Sequence, residues 1–164
     1  MTSRSLLVVH QERCTGCRLC ETVCALFHDG VVSPSLSRVS VIKDEIKGTD
    51  IPILCAHCDR PACREVCPSR AIRPTGAHGT GIIDPGRCIG CRLCVQACSF
   101  GGISLTPEGE PRKCDLCGGE PRCARYCPAG AIEYLPASRI GPRKRRLGAG
   151  RLVEFVAVAE SKGV

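Results

Sequence analysis

The stretch CTGCRLCETVC at residues 14–24 places four cysteines within eleven residues, with two, two and three other residues between them. The chain has 16 cysteines in 164 residues, and all of them fall into four quartets of this kind. The third quartet repeats the spacing of the first, whereas the second and fourth have four and five residues between their second and third cysteines. The quartets are Cys14, Cys17, Cys20 and Cys24; Cys55, Cys58, Cys63 and Cys67; Cys88, Cys91, Cys94 and Cys98; and Cys114, Cys117, Cys123 and Cys127. Sulfur atoms this close together indicate either bound metal or disulfide bonds.

The composition leaves little material for an ordinary hydrophobic core. Aromatic residues make up 3% of the chain and Trp is absent, while Gly (18) and Pro (12) are frequent. A chain so short of large apolar side chains needs disulfides or metal to fix its interior. The consecutive apolar residues 6–9 are too few for a secretory signal, and no stretch has the length of a membrane span. We therefore expect a cytoplasmic protein whose cysteines stay reduced and bind metal.

Zinc and iron–sulfur clusters are the two metal alternatives. A four-cysteine zinc site normally uses two separated C-x2-C pairs around one tetrahedral ion. In the first and third quartets the third cysteine follows the second after only two residues, so one loop can present three sulfurs to three different irons. The run C-x2-C-x2-C-x3-C is typical of bacterial ferredoxins, in which the fourth cysteine binds the other cluster of a pair. The spacing therefore favours iron–sulfur clusters, with zinc as the alternative.

The chain is an internal duplication. CTGCRLCETVCA matches CIGCRLCVQACS after a shift of 74 residues, and CPSRAI at 67–72 matches CPAGAI at 127–132 after a shift of 60. The first half therefore carries about fifteen extra residues, which lie between its two quartets. Within them, the alternation in SRVSVIK predicts a strand, and Pro34, Gly48 and Pro52 mark turns. This insertion is either a surface hairpin or an arm that docks a partner.

Short apolar segments indicate how the quartets pair. A two-cluster ferredoxin runs strand, cysteine loop, helix and strand, and then repeats that order. The apolar pairs 71–72 and 82–83 flank a glycine-rich turn, which joins quartets two and three in one inner module. The segment 127–135 after the fourth quartet would pair with the segment 5–17 before the first in the same way, so quartets one and four form an outer module. We expect an α+β fold of two intertwined bacterial ferredoxin-like modules: an outer module at 1–30 plus 107–140, an inserted hairpin at 31–51, an inner module at 52–106 and a basic tail at 141–164.

The net charge changes once clusters are counted. The formal value of +7 treats every cysteine as neutral. An oxidised four-iron core with four thiolates carries about −2, so four such sites would bring the chain to about −1. The excess of Lys and Arg then compensates buried anionic centres, which weakens a nucleic-acid interpretation. For the basic segment 139–151 and the strand-like stretch 152–158, docking on an acidic partner, a solvated tail and nucleic-acid binding are the alternatives.

Outside the cysteine loops the sequence offers no substrate chemistry. It has no glycine-rich phosphate loop after a strand and no evident nucleophile–base pair, so we expect no catalytic site in this chain. His57 lies inside the second cysteine loop, where we expect it to tune a cluster rather than bind iron. Arg18 and Arg92 occupy equivalent places in two loops, where each either raises a cluster potential or is a solvated charge.

The order of the quartets, with CAHCDRPACREVCP second and KCDLC opening the fourth, resembles the polyferredoxin electron-transfer subunits of molybdenum and tungsten pterin enzymes. These include subunits of formate dehydrogenases, dimethyl sulfoxide reductases and hydrogenase complexes. The stretch CRLCETVCALFHDGVVSPSLSRVSV is most similar to the small subunits of aldehyde oxidoreductase-type tungsten enzymes. The resemblance covers roughly residues 5–140.

This resemblance implies four 4Fe-4S clusters with crossed ligation. Set 1 would be Cys14, Cys17, Cys20 and Cys127; set 2 would be Cys55, Cys58, Cys63 and Cys98; set 3 would be Cys67, Cys88, Cys91 and Cys94; and set 4 would be Cys24, Cys114, Cys117 and Cys123.

The resemblance further implies a non-catalytic electron-transfer subunit. It would relay electrons between a tungsten or molybdenum pterin catalytic subunit, of the aldehyde oxidoreductase type, and a flavoprotein, an NAD-reducing subunit or another redox partner. Contacts with further copies of the same chain would extend the conduit. The alternatives are a freely diffusing polyferredoxin and a subunit of a formate dehydrogenase or hydrogenase-type complex.

Overall fold

The computed structural model describes residues 4–75 and 80–141. The larger of its two compact units spans residues 7–134 and contains all sixteen cysteines, and the described residues 4–6 and 135–141 belong to the other unit. The predicted tail strand at 152–158 and most of the basic segment lie outside the described residues.

Short strands and helices alternate along the chain. The strands are β1 (Ser5–Val9), β2 (Ser40–Asp44), β3 (Thr49–Ile53), β4 (Ile72–Thr75), β5 (Thr80–Ile83), β6 (Ile103–Leu105), β7 (Pro111–Lys113) and β8 (Ile132–Pro136). The helices are α1 (Leu19–Asp29), α2 (Ala62–Glu65), α3 (Leu93–Gln96) and α4 (Arg122–Arg125), with 3-10 turns at Gln11–Arg13, Pro34–Leu36 and Leu116–Gly119. The mixture confirms the α+β prediction.

The strands form four two-stranded sheets. β4 pairs antiparallel with β5 in a register that sets Ile72 opposite Ile83, which joins quartets two and three as the apolar pairs predict. β1 pairs with β8, and next to it the backbone N–H of His10 donates to the carbonyl of Ala131 at 2.8 Å. The first and last strands are therefore neighbours, as the tail-to-head join predicts.

Helices α1 to α4 each begin directly before the third cysteine of a quartet. α1 and α3 follow Arg18 and Arg92, both in the left-handed conformation, whereas α2 and α4 each follow a proline. Three of the helices end after one turn, but α1 continues to Asp29 and stops at Gly30, whose φ of 72° suits glycine. The insertion thus lengthens the helix that leaves the first quartet.

The core is built largely from sulfur. Seven of the fourteen buried residues in its three groups are cysteines. The remaining positions are aliphatic residues such as Ile132, Leu116 and Val41, each 2% exposed or less. Cysteine loops therefore occupy the space that aromatic side chains fill in other proteins.

The insertion folds as the antiparallel hairpin β2–β3, and one face of it is buried. Val39 and Val41 are each 2% exposed, whereas Ile42 and Ile46 on the other side are 52% and 99% exposed. The buried face lies on the first cysteine loop, where the Asp50 carboxylate covers Gly16. The module boundaries given above stay a prediction.

Among the described residues, no helix combines the length and apolar character needed to span a bilayer.

Candidate metal centres

All four cysteine loops share one backbone feature. The residue before the second cysteine has a positive φ in every quartet: Gly16 at 63°, His57 at 47°, Gly90 at 69° and Leu116 at 61°. Two of these residues are not glycine, and a left-handed conformation costs such residues about 1–2 kcal/mol. Each loop is therefore held in a tight curve that a bound group inside it must stabilise.

Backbone amides are directed at the fourth cysteine of each quartet. Three of these sulfurs accept a hydrogen bond from the backbone N–H four residues later, and Cys24 accepts one from the backbone N–H of Arg38 within the insertion. The donor–acceptor pairs are Ala71 to Cys67 at 3.3 Å, Gly102 to Cys98 at 3.3 Å, Ala131 to Cys127 at 3.2 Å and Arg38 to Cys24 at 3.4 Å. Such bonds stabilise sulfur as a thiolate, which is the form that binds metal.

The four members of set 1 meet at one cavity. Cys14, Cys17 and Cys20 line it from the first loop, and Cys127 joins them from the far end of the chain. The hairpin residue Val41 closes part of the wall of this cavity. Cys17 is exposed, so one corner of this site faces the surface.

The four members of set 3 meet in the same manner. Cys88, Cys91 and Cys94 line a cavity together with Cys67, the fourth cysteine of the preceding quartet. Cys91 is exposed, as is its counterpart in the first loop. No described atom lies within 4 Å of a Cβ built on Gly90, so the hairpin leaves this position of the third loop uncovered.

Mutual electrostatic effects link the other two sets. Burial raises the pKa of Cys123, and the neighbouring sulfurs of set 4, together with Cys20, raise it further. Burial also raises the pKa of Cys63; the Lys113 ammonium lowers it, and Cys55 and Cys98 of set 2 raise it. Cys58, the remaining member of set 2, is exposed.

The four sets form a line rather than a cluster of four. Cys20 of set 1 shares a buried group with Cys24 and Cys123 of set 4, Cys114 of set 4 shares one with Cys55 of set 2, and Cys63 of set 2 shares one with Cys94 of set 3. The pKa of Cys114 is raised to about 12, chiefly by burial and in part by Cys55, which agrees with this contact. The spatial order is therefore set 1, set 4, set 2, set 3.

The donor set fits anionic iron–sulfur clusters. Buried thiols with raised pKa values ionise only when a cationic centre binds them, and iron supplies that charge. The Nε atom of Arg122 is buried and no described group accepts its hydrogen. Burial raises the pKa of Cys117, and the guanidinium charge of Arg122 opposes that rise. An unmatched buried donor beside a cysteine sulfur is expected where an anionic group completes the site.

His28 is a site residue that the sequence pattern did not reveal. Its Nε2 lies 3.5 Å from the sulfur of Cys117 and 3.3 Å from Oδ1 of Asp115. Burial lowers the pKa of His28, and the Asp115 carboxylate raises it. No local signal could have identified this contact, because 89 residues separate His28 from Cys117.

The residues singled out beside the loops have protein partners. The backbone N–H of buried His57 donates to the sulfur of Cys55 at 3.4 Å. Arg18 donates to the carbonyl of Val41 at 3.4 Å, and Arg92 donates from Nε to the carbonyl of Gly109 at 3.0 Å. Both arginines line the cavities of their own loops, and whether each raises a cluster potential or is a solvated charge stays a prediction.

Comparison with known proteins agrees with these sites. The sequence matches the family described as 4Fe-4S dicluster domain over residues 46–135, and a 4Fe-4S binding domain over residues 11–26. The polyferredoxin-like subunit of an aliphatic sulfonate oxidoreductase from Pyrococcus furiosus is 35% identical over 126 residues, covering 76% of this chain and 72% of the relative. The probable anaerobic dimethyl sulfoxide reductase chain YnfG of Escherichia coli is 33% identical over 168 residues, covering 91% of this chain and 82% of the relative.

A solved structure shares the fold. The active site complex BamBC of benzoyl-coenzyme A reductase, bound to benzoyl-coenzyme A, contains a chain with a TM-score of 0.50 and 24% identity, with coverage of 93% of this chain and 96% of that chain. The iron–sulfur prediction is confirmed by the family match. Loop spacing, sulfur-lined cavities and sequence similarity agree that this chain belongs to the 4Fe-4S dicluster domain family, among the iron–sulfur electron-transfer subunits of oxidoreductases.

Proposed function

We propose that this chain is an electron-transfer subunit that holds four 4Fe-4S clusters, one on each of sets 1 to 4, and carries electrons between two redox partners. When bound, such clusters supply one-electron oxidation and reduction without transfer of atoms. The residues of this chain hold the sulfurs in place, bury seven of the sixteen cysteines and donate backbone N–H groups to several of the sulfurs. The chain itself performs no substrate chemistry in this proposal.

The linear order of the four sets is the observation that carries the proposal. Each set shares a buried cysteine group with its neighbour, so successive clusters would lie side by side. Sets 1 and 3 stand at the two ends, where Cys17 and Cys91 are exposed; Cys58 of set 2 is exposed as well, whereas set 4 has no exposed cysteine. A line with an accessible centre at each end suits a relay between two partners better than a store of electrons.

The first partner in the proposal is a tungsten or molybdenum pterin catalytic subunit of the aldehyde oxidoreductase type. The similarity of the region around residues 17–41 to small subunits of such enzymes supports this choice. The names of two relatives, a sulfonate oxidoreductase subunit and a dimethyl sulfoxide reductase chain, support a place beside an oxidoreductase but favour no single substrate. The second partner is a flavoprotein, an NAD-reducing subunit or another redox protein, and further copies of this chain are a third possible contact. We propose a cytoplasmic location, consistent with cysteines kept reduced for metal.

Anaerobic purification of the tagged chain from its native cells tests the proposal. We expect about sixteen irons with matching sulfide per chain, a broad absorption near 400 nm that dithionite bleaches, and stoichiometric co-elution of a tungsten or molybdenum protein. A colourless protein that contains zinc would contradict the cluster assignment. Full iron content without any co-eluting metalloprotein would favour the freely diffusing polyferredoxin, and co-elution of a formate dehydrogenase or hydrogenase would identify a different catalytic partner.

A further inference from the structure

Cys117 of set 4 is surrounded by donors that the duplicated half of the chain lacks. His28 reaches its sulfur through Nε2 at 3.5 Å from the extended end of α1. With a cluster on set 4, Cys117 would be a thiolate, and both it and the Asp115 carboxylate would accept hydrogen bonds, so Nε2 would carry the hydrogen. His28 is therefore the donor in this contact.

Arg122 approaches the same sulfur from α4. Its guanidinium charge acts on Cys117, and its buried Nε has no hydrogen-bond acceptor among the described residues. The guanidinium carbon lies 4.9 Å from the centre of the Phe27 ring, and that ring lies edge-on to His28 with 4.9 Å between centroids. His28, Phe27 and Arg122 thus form one packed assembly beside Cys117.

The other half of the chain has no such assembly. When the two halves are aligned with a shift of 74 residues, His28 corresponds to Gly102 and Phe27 corresponds to Gly101. The chain leaves the helix before these glycines, since α3 ends at Gln96 whereas α1 continues through His28. Ala62 stands at the position of Arg122, directly before the third cysteine of its quartet. The donors therefore distinguish set 4 from its counterpart, set 2.

We propose that His28 and Arg122 are positioning residues that raise the reduction potential of the cluster on set 4. Reduction adds negative charge to a cluster, and hydrogen bonds and positive charge at its sulfurs stabilise the reduced state more than the oxidised state. Loss of one such bond, if it acts only on the reduced state, changes the reduction equilibrium about tenfold, which corresponds to about 59 mV for a one-electron couple. The inference rests on the proposed function, because it requires a cluster on set 4.

The test is a potentiometric titration of the intact, iron-loaded protein followed by electron paramagnetic resonance. In His28→Phe, which keeps a ring but removes the donor, one of the one-electron steps moves to a more negative potential by about 59 mV. His28→Gln retains an N–H donor, so the potential of that step stays at its wild-type value. Arg122→Leu moves the same step in the same direction. Arg125→Leu is the matched control: its side chain is 61% exposed and faces Glu120 at 3.9 Å, so no step moves.

Three results would overturn the inference. The first is unchanged reduction potentials in His28→Phe at full iron content. The second is that His28→Phe and Arg122→Leu shift different one-electron steps. The third is that His28→Gln shifts the potential as much as His28→Phe does. If His28→Phe loses iron, the contact is tested in the wild-type protein labelled with 15N-histidine. Its spin-echo spectra must show a coupling between the cluster and a histidine nitrogen that His28→Gln removes. Absence of that coupling rejects the contact between His28 and Cys117. A wild-type protein without iron or without redox steps would instead reject the proposed function, so the two failures are distinguishable.

Discussion

Gly16 and Gly90 occupy the same position in the two duplicated loops, but the hairpin covers only one of them. Gly16 has a φ of 63°, and a Cβ built on it would lie 2.5 Å from both carboxylate oxygens of Asp50. Gly90 has a φ of 69°, and nothing lies within 4 Å of its Cβ position. Replacing either glycine by alanine therefore imposes the same backbone strain, but only Gly16→Ala adds a steric clash.

The expected penalties follow from these distances. A left-handed alanine costs about 1–2 kcal/mol, and Gly90→Ala bears this term alone. Gly16→Ala must also displace Asp50 or part of β3, and overpacking of this kind adds about 1–3 kcal/mol. If the native state bears the whole extra penalty, the first loop opens about 5 to 150 times faster in Gly16→Ala than the third loop does in Gly90→Ala.

The assay is the rate at which iron–sulfur absorption is lost under anaerobic conditions in urea with an iron chelator. Rates are preferable to equilibrium values here, because loss of clusters makes unfolding irreversible. Gly16→Ala should lose absorption faster than Gly90→Ala, and Gly16→Ala combined with Asp50→Ala should return to the Gly90→Ala rate. Equal rates in the two single variants would refute the claim that the hairpin covers the first loop. An unchanged rate in the double variant would show that Asp50 is not the obstacle.

Three further predictions concern the core, the thiols and the metal. Ile132→Ala, at a position 1% exposed, should destabilise the native state by about 2–5 kcal/mol, whereas Ile46→Ala at 99% exposure should stay within about 0.5 kcal/mol. The rate of absorption loss in the same urea assay compares the two variants, and equal rates would contradict the burial. In the iron-free protein, burial raises the pKa of Cys20 from 9.0 to about 12. The stability that its neutral thiol contributes is therefore complete below pH 9 and is lost as the pH rises towards 12. Circular dichroism measured against pH should show this loss of structure, and a flat profile would count against the shift. Cys91→Ser should lose about four irons per chain while Ser99→Ala loses none, and iron analysis that finds equal content in both would reject Cys91 as a ligand.

The quartet spacing was sufficient to predict iron–sulfur binding, because three sulfurs that share one cluster come from a single short loop. The spacing of ligands along such a loop is set by local backbone geometry, and the sequence states it directly. The duplicated motifs and the apolar pairs also predicted which strands join, and the register of Ile72 with Ile83 and the pairing of β1 with β8 agree with that prediction.

The insertion shows where sequence reasoning stopped. Its alternating pattern predicted a strand near residues 37–43, and β2 occupies Ser40–Asp44. The pattern left open whether this hairpin lies on the surface or docks a partner, whereas its buried face covers the first cysteine loop of its own chain. Alternation identifies which residues share a face of a strand but not what that face contacts.

The sequence by itself therefore determined the chemistry of this protein, since sixteen cysteines at ferredoxin intervals specify a soft metal centre wherever the chain places them. Only the tertiary structure decided the order of the four sets, the cover that Asp50 gives to Gly16, and the approach of His28 to Cys117. These features join residues that are distant along the chain, and such contacts arise from packing around the sulfur-rich core rather than from any local pattern.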